Sequence, residues 1–233
     1  MRLAMSYIGP IMLNRQPSLP LKTWGGKRRG AGRKPQGASP GVAHRSRPPL
    51  LPRFPVHVTI RLRGSLPTLR AHRTAGVVLS CLAAAANRFE TRIVHYSLQK
   101  NHLHLILESA NICMLARAAK GLSIRIAKAM NRMIESRGQV VPDRYDAHIL
   151  KTPLEVKRAI QYVLNNARKH LRRPGVRILW EVDPYSSGAV FDGWARRVNA
   201  PAGPAPPVSR ASTWLMRLGW RRHGLIASDA APA

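Results

Sequence analysis

The middle of the chain switches between two hydrophobic periods. Val56, Val58, Ile60 and Leu62 alternate with His57, Thr59, Arg61 and Arg63, the period-two pattern of a half-buried strand. The period then lengthens. Pro67 opens a predicted helix reaching about Arg88, with Leu69, Val77, Val78, Cys81, Leu82 and Ala85 available for one face. Residues 92–98 and 102–108 return to strand character, and the short Gln99-Lys100-Asn101 link predicts a hairpin between them. A second helix follows from near Ile112 to Ser136. Leu115, Ala119, Leu122, Ile126, Met130 and Met133 form its apolar stripe, and Arg117, Lys120, Arg125, Lys128 and Arg132 a separate basic one; Gly138 stops it. Tyr145 to Lys151 reads as a fourth strand. Thr152-Pro153-Leu154-Glu155 is a capping box with proline at the first helical position, so a third helix should run to about His170 and end before Pro174. The order β-α-β-β-α-β plus one helix predicts an α+β fold of the ferredoxin-like, split β-α-β type. Its antiparallel sheet carries two helices on one face and leaves the other for function or for the extra C-terminal helix.

Composition bounds where this pattern applies. The 233 residues include 39 Lys and Arg against 10 Asp and Glu, a formal charge of +29. Residues 1–89 contain no acid at all, and prolines crowd both ends of the chain. The expected layout is therefore a basic, Pro/Gly-rich arm over 1–55, a catalytic or binding domain over 56–172, an extension over 173–198, and a Pro/Ala-rich tail with a short basic segment over 199–233. The charge calls for a polyanionic partner, nucleic acid before an anionic membrane surface. Lys27, Arg28, Arg29, Arg33 and Lys34, spaced by glycines and followed by Pro35, suit an extended arm along a phosphate backbone; a merely solubilising tail is the plainer reading. No run of 18 apolar residues and no secretory h-region is present, which predicts a cytoplasmic protein held near the nucleoid by DNA. Cys81 and Cys113 form no C-x-x-C, which disfavours a zinc knuckle or a disulfide framework.

The candidate chemistry lies on the third strand and the third helix. Alternation puts His102 and His104 on one strand face, with Leu103, Leu105 and Leu107 on the other. Two imidazoles roughly 7 Å apart along a strand can converge on one ion. They are equally ordinary on a half-exposed face, and as a metal site they need a third ligand. On the third helix Tyr162 and Asn166 are i and i+4 and share a side; Arg158 and Lys169 lie one turn before and beyond, as candidate DNA contacts. Tyr162 among cations is either an amphipathic edge residue or a nucleophile assisted by its neighbours. With ten acids, a two-metal carboxylate nuclease is poorly supplied, and no P-loop or G-x-S-x-G occurs.

The Asn101-His102-Leu103-His104 core resembles the HUH motif of single-tyrosine HUH transposases, and Gln161-Tyr162-Val163-Leu164-Asn165-Asn166 resembles their catalytic helix. The tail from Gly25 to Pro35 and the Val141-Pro142-Asp143-Arg144-Tyr145 stretch resemble the REP-associated branch. The resemblance implies that His102, His104 and the Asn166 amide oxygen hold a divalent cation, Mg²⁺ or Mn²⁺. Tyr162 would attack a scissile phosphate in single-stranded, hairpin-forming DNA to give a 5′-phosphotyrosine and a free 3′-hydroxyl, with a homodimer as one possible assembly. Ala167 stands where many relatives have proline, which leaves Asn165 as a competing ligand. The alternative class is a non-catalytic RRM-like binder of single strands, whose sheet would offer aromatics where this one offers histidines.

Overall fold

A computed structural model describes residues 46–171, 178–200 and 203–230. The elements run β1 (Val56–Arg61), α1 (His72–Ala85), β2 (Thr91–Leu98), β3 (His102–Ser109), α2 (Ile112–Met133), β4 (Asp146–Ile149) and α3 (Pro153–Leu171). The strands form one sheet in the order β2-β3-β1-β4, with every neighbouring pair antiparallel. The fold is α+β.

Strand alternation sorts the sheet into two different faces. Val56, Val58 and Ile60 of β1 and Leu103, Leu105 and Leu107 of β3 meet Val78 and Leu82 of α1 and Leu115, Leu122, Ile126 and Met130 of α2 in one core. Asn111 caps α2, its side chain accepting from the Cys113 and Met114 amides. The helix stops at Met133, short of the expected Ser136, where Glu135 takes a left-handed φ of 50°. α1 also differs from expectation, beginning at His72 rather than Pro67. The Leu62 and Leu69 amides donate to the Asn101 and Lys100 carbonyls, which ties residues 62–69 to the β2–β3 turn instead of a helix.

α3 covers the second face, packing Val156, Ile160, Val163 and Leu164 with Val94 and Ile106 of the sheet. Its start is the capping box: the Glu155 amide donates to Thr152 Oγ1, and Glu155 Oε2 accepts from the Thr152 and Lys151 amides. Into the same core go Val182, Phe191 and Trp194, together with Leu215, Met216, Trp220 and Ile226. The segment 203–230, which lies within the tail expected over 199–233 from its prolines, is thus part of the packed structure. Pro204, Pro206 and Pro207 are bunched at its start, so averaging over the whole segment hides the apolar run that follows. A short helix α4 (Trp214–Arg217) is anchored by buried Glu108 of β3. Glu108 Oε1 accepts from the amide and hydroxyl of Thr213, and Oε2 from those of Ser212. A Cβ at Gly193 would collide with the Trp220 and Phe191 rings, so this close approach requires glycine.

The packed part also begins earlier than residue 56. Leu50 is buried, and Arg47 lies over the Tyr145 ring while donating to the Tyr145 carbonyl. On the far side, Arg70 forms a bidentate pair with buried Asp183 at 2.8 and 2.9 Å and also donates to the Leu98 carbonyl. That pair fastens the segment after α3 to the β2–β3 end of the sheet.

Candidate active site

The α3-covered face carries a row of polar side chains across all four strands. The register sets Ser97 of β2 beside His104 of β3, His104 beside Thr59 of β1, and Thr59 beside Asp146 of β4. One step along, His57 pairs with Ile106 on one side and His148 on the other. Paired residues in an antiparallel sheet project to the same face, so these imidazoles gather without any of them being adjacent in sequence.

Three imidazoles and one phenol are in ring contact. The His102 and His104 centroids are 4.9 Å apart, and His104 lies 5.2 Å from His57. Tyr162 reaches down from α3 edge-on, 5.1 Å from His104 and 5.7 Å from His57. The structure thereby brings Tyr162 to the His-x-His strand. The other described tyrosines sit elsewhere: Tyr96 in the α1/α2 core, Tyr145 under Arg47, and Tyr185 under Arg70.

His104 is almost wholly buried, and its Nδ1 lies 3.1 Å from both Thr59 Oγ1 and His57 Nε2. His102 Nδ1 lies 3.1 Å from Asn101 Oδ1. Burial is the main force on the His57 imidazole and pushes its pKa down to about 4; Asp146 pulls it upward and His148 lowers it further.

The two asparagines of α3 separate clearly. Asn165 Nδ2 donates to the Ala227 and Ala230 carbonyls, each at 3.1 Å, and so holds the C-terminal segment. Asn166 is fully buried, and neither its Nδ2 nor its Oδ1 has a hydrogen-bond partner among the described residues. A buried amide with both ends unsatisfied is costly unless something else occupies it. Among the described residues no group of three or more His, Cys, Asp or Glu side chains is placed to hold a metal ion. Two imidazoles and one amide oxygen suit a divalent cation that keeps water or phosphate oxygens at its other positions.

Of the candidate DNA contacts, Arg158 is exposed on α3. Lys169 lies in α3 with its side chain outside the described residues, as are Lys27, Arg28, Arg29, Arg33 and Lys34. The residue that pattern reading passed over is His57. It stood in β1 as one polar position among several, and only the adjacency of β1 and β3 reveals its contact with His104. No described helix is long and apolar enough to cross a membrane.

The sequence matches no protein-family model and no curated protein. Among solved structures, it overlaps a REP-associated tyrosine transposase bound to a REP hairpin, at 14% identity over 55% of this chain and 74% of that one, with a TM-score of 0.44. It overlaps a bacterial tRNA(His) guanylyltransferase-like protein in complex with GTP at 15% identity, over 53% of this chain and 66% of that one, with a TM-score of 0.42. Overlaps this loose do not fix function.

Proposed function

We propose that the chain is a metal-assisted DNA strand-transferase of the single-tyrosine HUH type, acting on single-stranded, hairpin-forming DNA. The observation that carries the reading is the contact of the Tyr162 ring with His104, itself beside His102, under a helix that also buries the unsatisfied Asn166. We read the β2-β3-β1-β4 order as the ferredoxin-like split, with α3 as the catalytic helix on the face opposite α1 and α2.

His102, His104 and Asn166 would hold the cation, Mg²⁺ or Mn²⁺. When bound, it supplies charge neutralisation at a phosphate. The Tyr162 hydroxyl attacks phosphorus; the Oη–P bond forms and the P–O3′ bond breaks. The phenolic proton is lost and the departing 3′-oxygen gains one, leaving a 5′-phosphotyrosine and a 3′-hydroxyl. The phosphodiester energy is retained, so a second 3′-hydroxyl reverses the step and rejoins DNA without a nucleotide cofactor. The basic arm, Arg158 and Lys169 bind phosphates. DNA binding and the absence of a described membrane helix fit a cytoplasmic setting, and a homodimer is compatible with this scheme.

An RRM-like binder requires an open sheet on which bases stack. Here α3 and the C-terminal segment cover that face, and His104 and Ile106 are buried beneath them. The discriminating experiment is incubation of the protein with labelled single-stranded hairpin DNA and Mn²⁺, followed by a denaturing gel. The expected result is a covalent protein–DNA adduct that chelator abolishes and Tyr162→Phe cannot form, while Tyr162→Phe still binds DNA. An adduct with Tyr162→Phe overturns the nucleophile assignment, and DNA binding by wild type with no adduct on any hairpin overturns the enzyme.

A further inference from the structure

We infer that His57 is a positioning residue that holds His104 in the tautomer able to bind metal, an inference that rests on the metal reading of the site given above. An imidazole has two nitrogens, and a neutral ring carries its proton on only one of them. In His104 the Nδ1 atom is committed: it faces His57 Nε2 and Thr59 Oγ1, both at 3.1 Å. If Nδ1 carries the proton and donates to β1, then Nε2 presents a lone pair. If Nδ1 accepts instead, Nε2 carries the proton and has no lone pair for a cation.

The hydroxyl of Thr59 donates or accepts by rotation, so it follows whichever arrangement the two imidazoles adopt. His57 can bias the choice. The inferred arrangement has the His57 proton on Nδ1, which leaves His57 Nε2 an acceptor only and requires a proton on the facing His104 Nδ1. The His57 ring is itself fixed, by its place in β1 between Val56 and Val58 and by ring contacts to His104 and Tyr162. His57 touches the nucleophile as well, so one residue sets both the ligand's tautomer and the surface on which the Tyr162 ring rests. Partners of this kind orient metal-binding histidines and raise their basicity, and losing one costs roughly 10–100-fold in metal affinity.

Two measurements test this. The first is Mn²⁺ affinity, read from the electron paramagnetic resonance of free Mn²⁺, for wild type, His57→Phe, His57→Gln and the double variant His102→Ala/His104→Ala. The expected pattern is loss in the double variant, roughly 10–100-fold weakening in His57→Phe, and recovery in His57→Gln, whose amide oxygen restores an acceptor. Binding by His57→Phe within twofold of wild type, with the double variant silent, overturns the role of His57 and leaves the metal site standing. Absence of Mn²⁺ binding in wild type, or undiminished binding in the double variant, overturns both. The second measurement needs no substitution: side-chain ¹⁵N shifts of His104 in the Mg²⁺-loaded protein. A protonated Nδ1 is expected, and a protonated Nε2 overturns the inference even if His57→Phe fails to fold.

Discussion

Asn166 and His95 are buried polar side chains on the α3-covered side of the molecule, and they make opposite demands on the fold. Asn166 has neither a donor nor an acceptor among the described residues, so it withholds stability that an apolar side chain would provide. Asn166→Leu should therefore leave the melting temperature unchanged or raise it, while Mn²⁺ binding falls; calorimetry and titration on the same sample check both. A marked drop in melting temperature would mean that the amide serves the fold. His95 is satisfied, its Nδ1 lying 3.1 Å from Ser187 Oγ, and burial pushes its pKa down to about 4 despite upward pulls from Asp192 and Glu108. The sign follows from proton uptake: the unfolded histidine protonates near 6.5 while the folded one stays neutral. Its contribution is complete above pH 6.5 and is lost as the pH falls through 6.5 towards 4, a change on the order of 3 kcal/mol. Urea midpoints measured from pH 7 to pH 4 should fall less steeply for His95→Asn than for wild type. Equal slopes would show that His95 is not held neutral.

Elements differ in how openly the sequence announced them. β3 and α3 were legible because strict alternation in one and a complete capping box in the other are local signals, and each placed its candidate site residues on one side. His57 was not legible as a site residue, because its contact with His104 depends on which strands are neighbours, and strand order is not encoded within either strand. The start of α1 was misplaced for a related reason: Pro67 and Leu69 satisfy local helix rules, but the Leu69 amide is claimed by the Lys100 carbonyl. The C-terminal segment shows the largest gap. Its burial depends on a surface supplied by α3 and β2, and Glu108 became its anchor only once β3 lay beside Ser212 and Thr213. Trp220 is 1% exposed, donates Nε1 to the Met216 carbonyl, and packs on Phe191. Trp220→Ala should cost about 3–5 kcal/mol in denaturant unfolding. A loss below about 1 kcal/mol would mean that the segment is not part of the cooperative unit. Lys157 also donates to the His223 carbonyl, so the segment grips the same helix that carries Tyr162.

Charge is the property of the whole chain that most constrains its partner, and its distribution yields a test independent of the active site. Residues 1–45 carry nine Lys and Arg and no acid. The packed structure sets the proper truncation point: Arg47, Leu50 and Phe54 contact the folded part, so a cut at residue 55 would damage the fold along with the arm. Removal of residues 1–45 should leave the melting temperature intact. It should weaken single-stranded DNA binding and flatten the dependence of affinity on salt. Each lost phosphate contact reduces the log–log slope by about 0.7 on a single strand, so loss of three or more contacts changes it by about 2 or more. Fluorescence anisotropy with a labelled oligonucleotide across a salt series reads both quantities. A truncated protein with the same affinity and slope would show that the arm contributes solubility alone, and that Arg158, Lys169 and the other cations of residues 46–233 carry the DNA. A changed affinity with an unchanged slope would show that the arm acts through contacts other than phosphate neutralisation, because salt dependence counts released ions and nothing else.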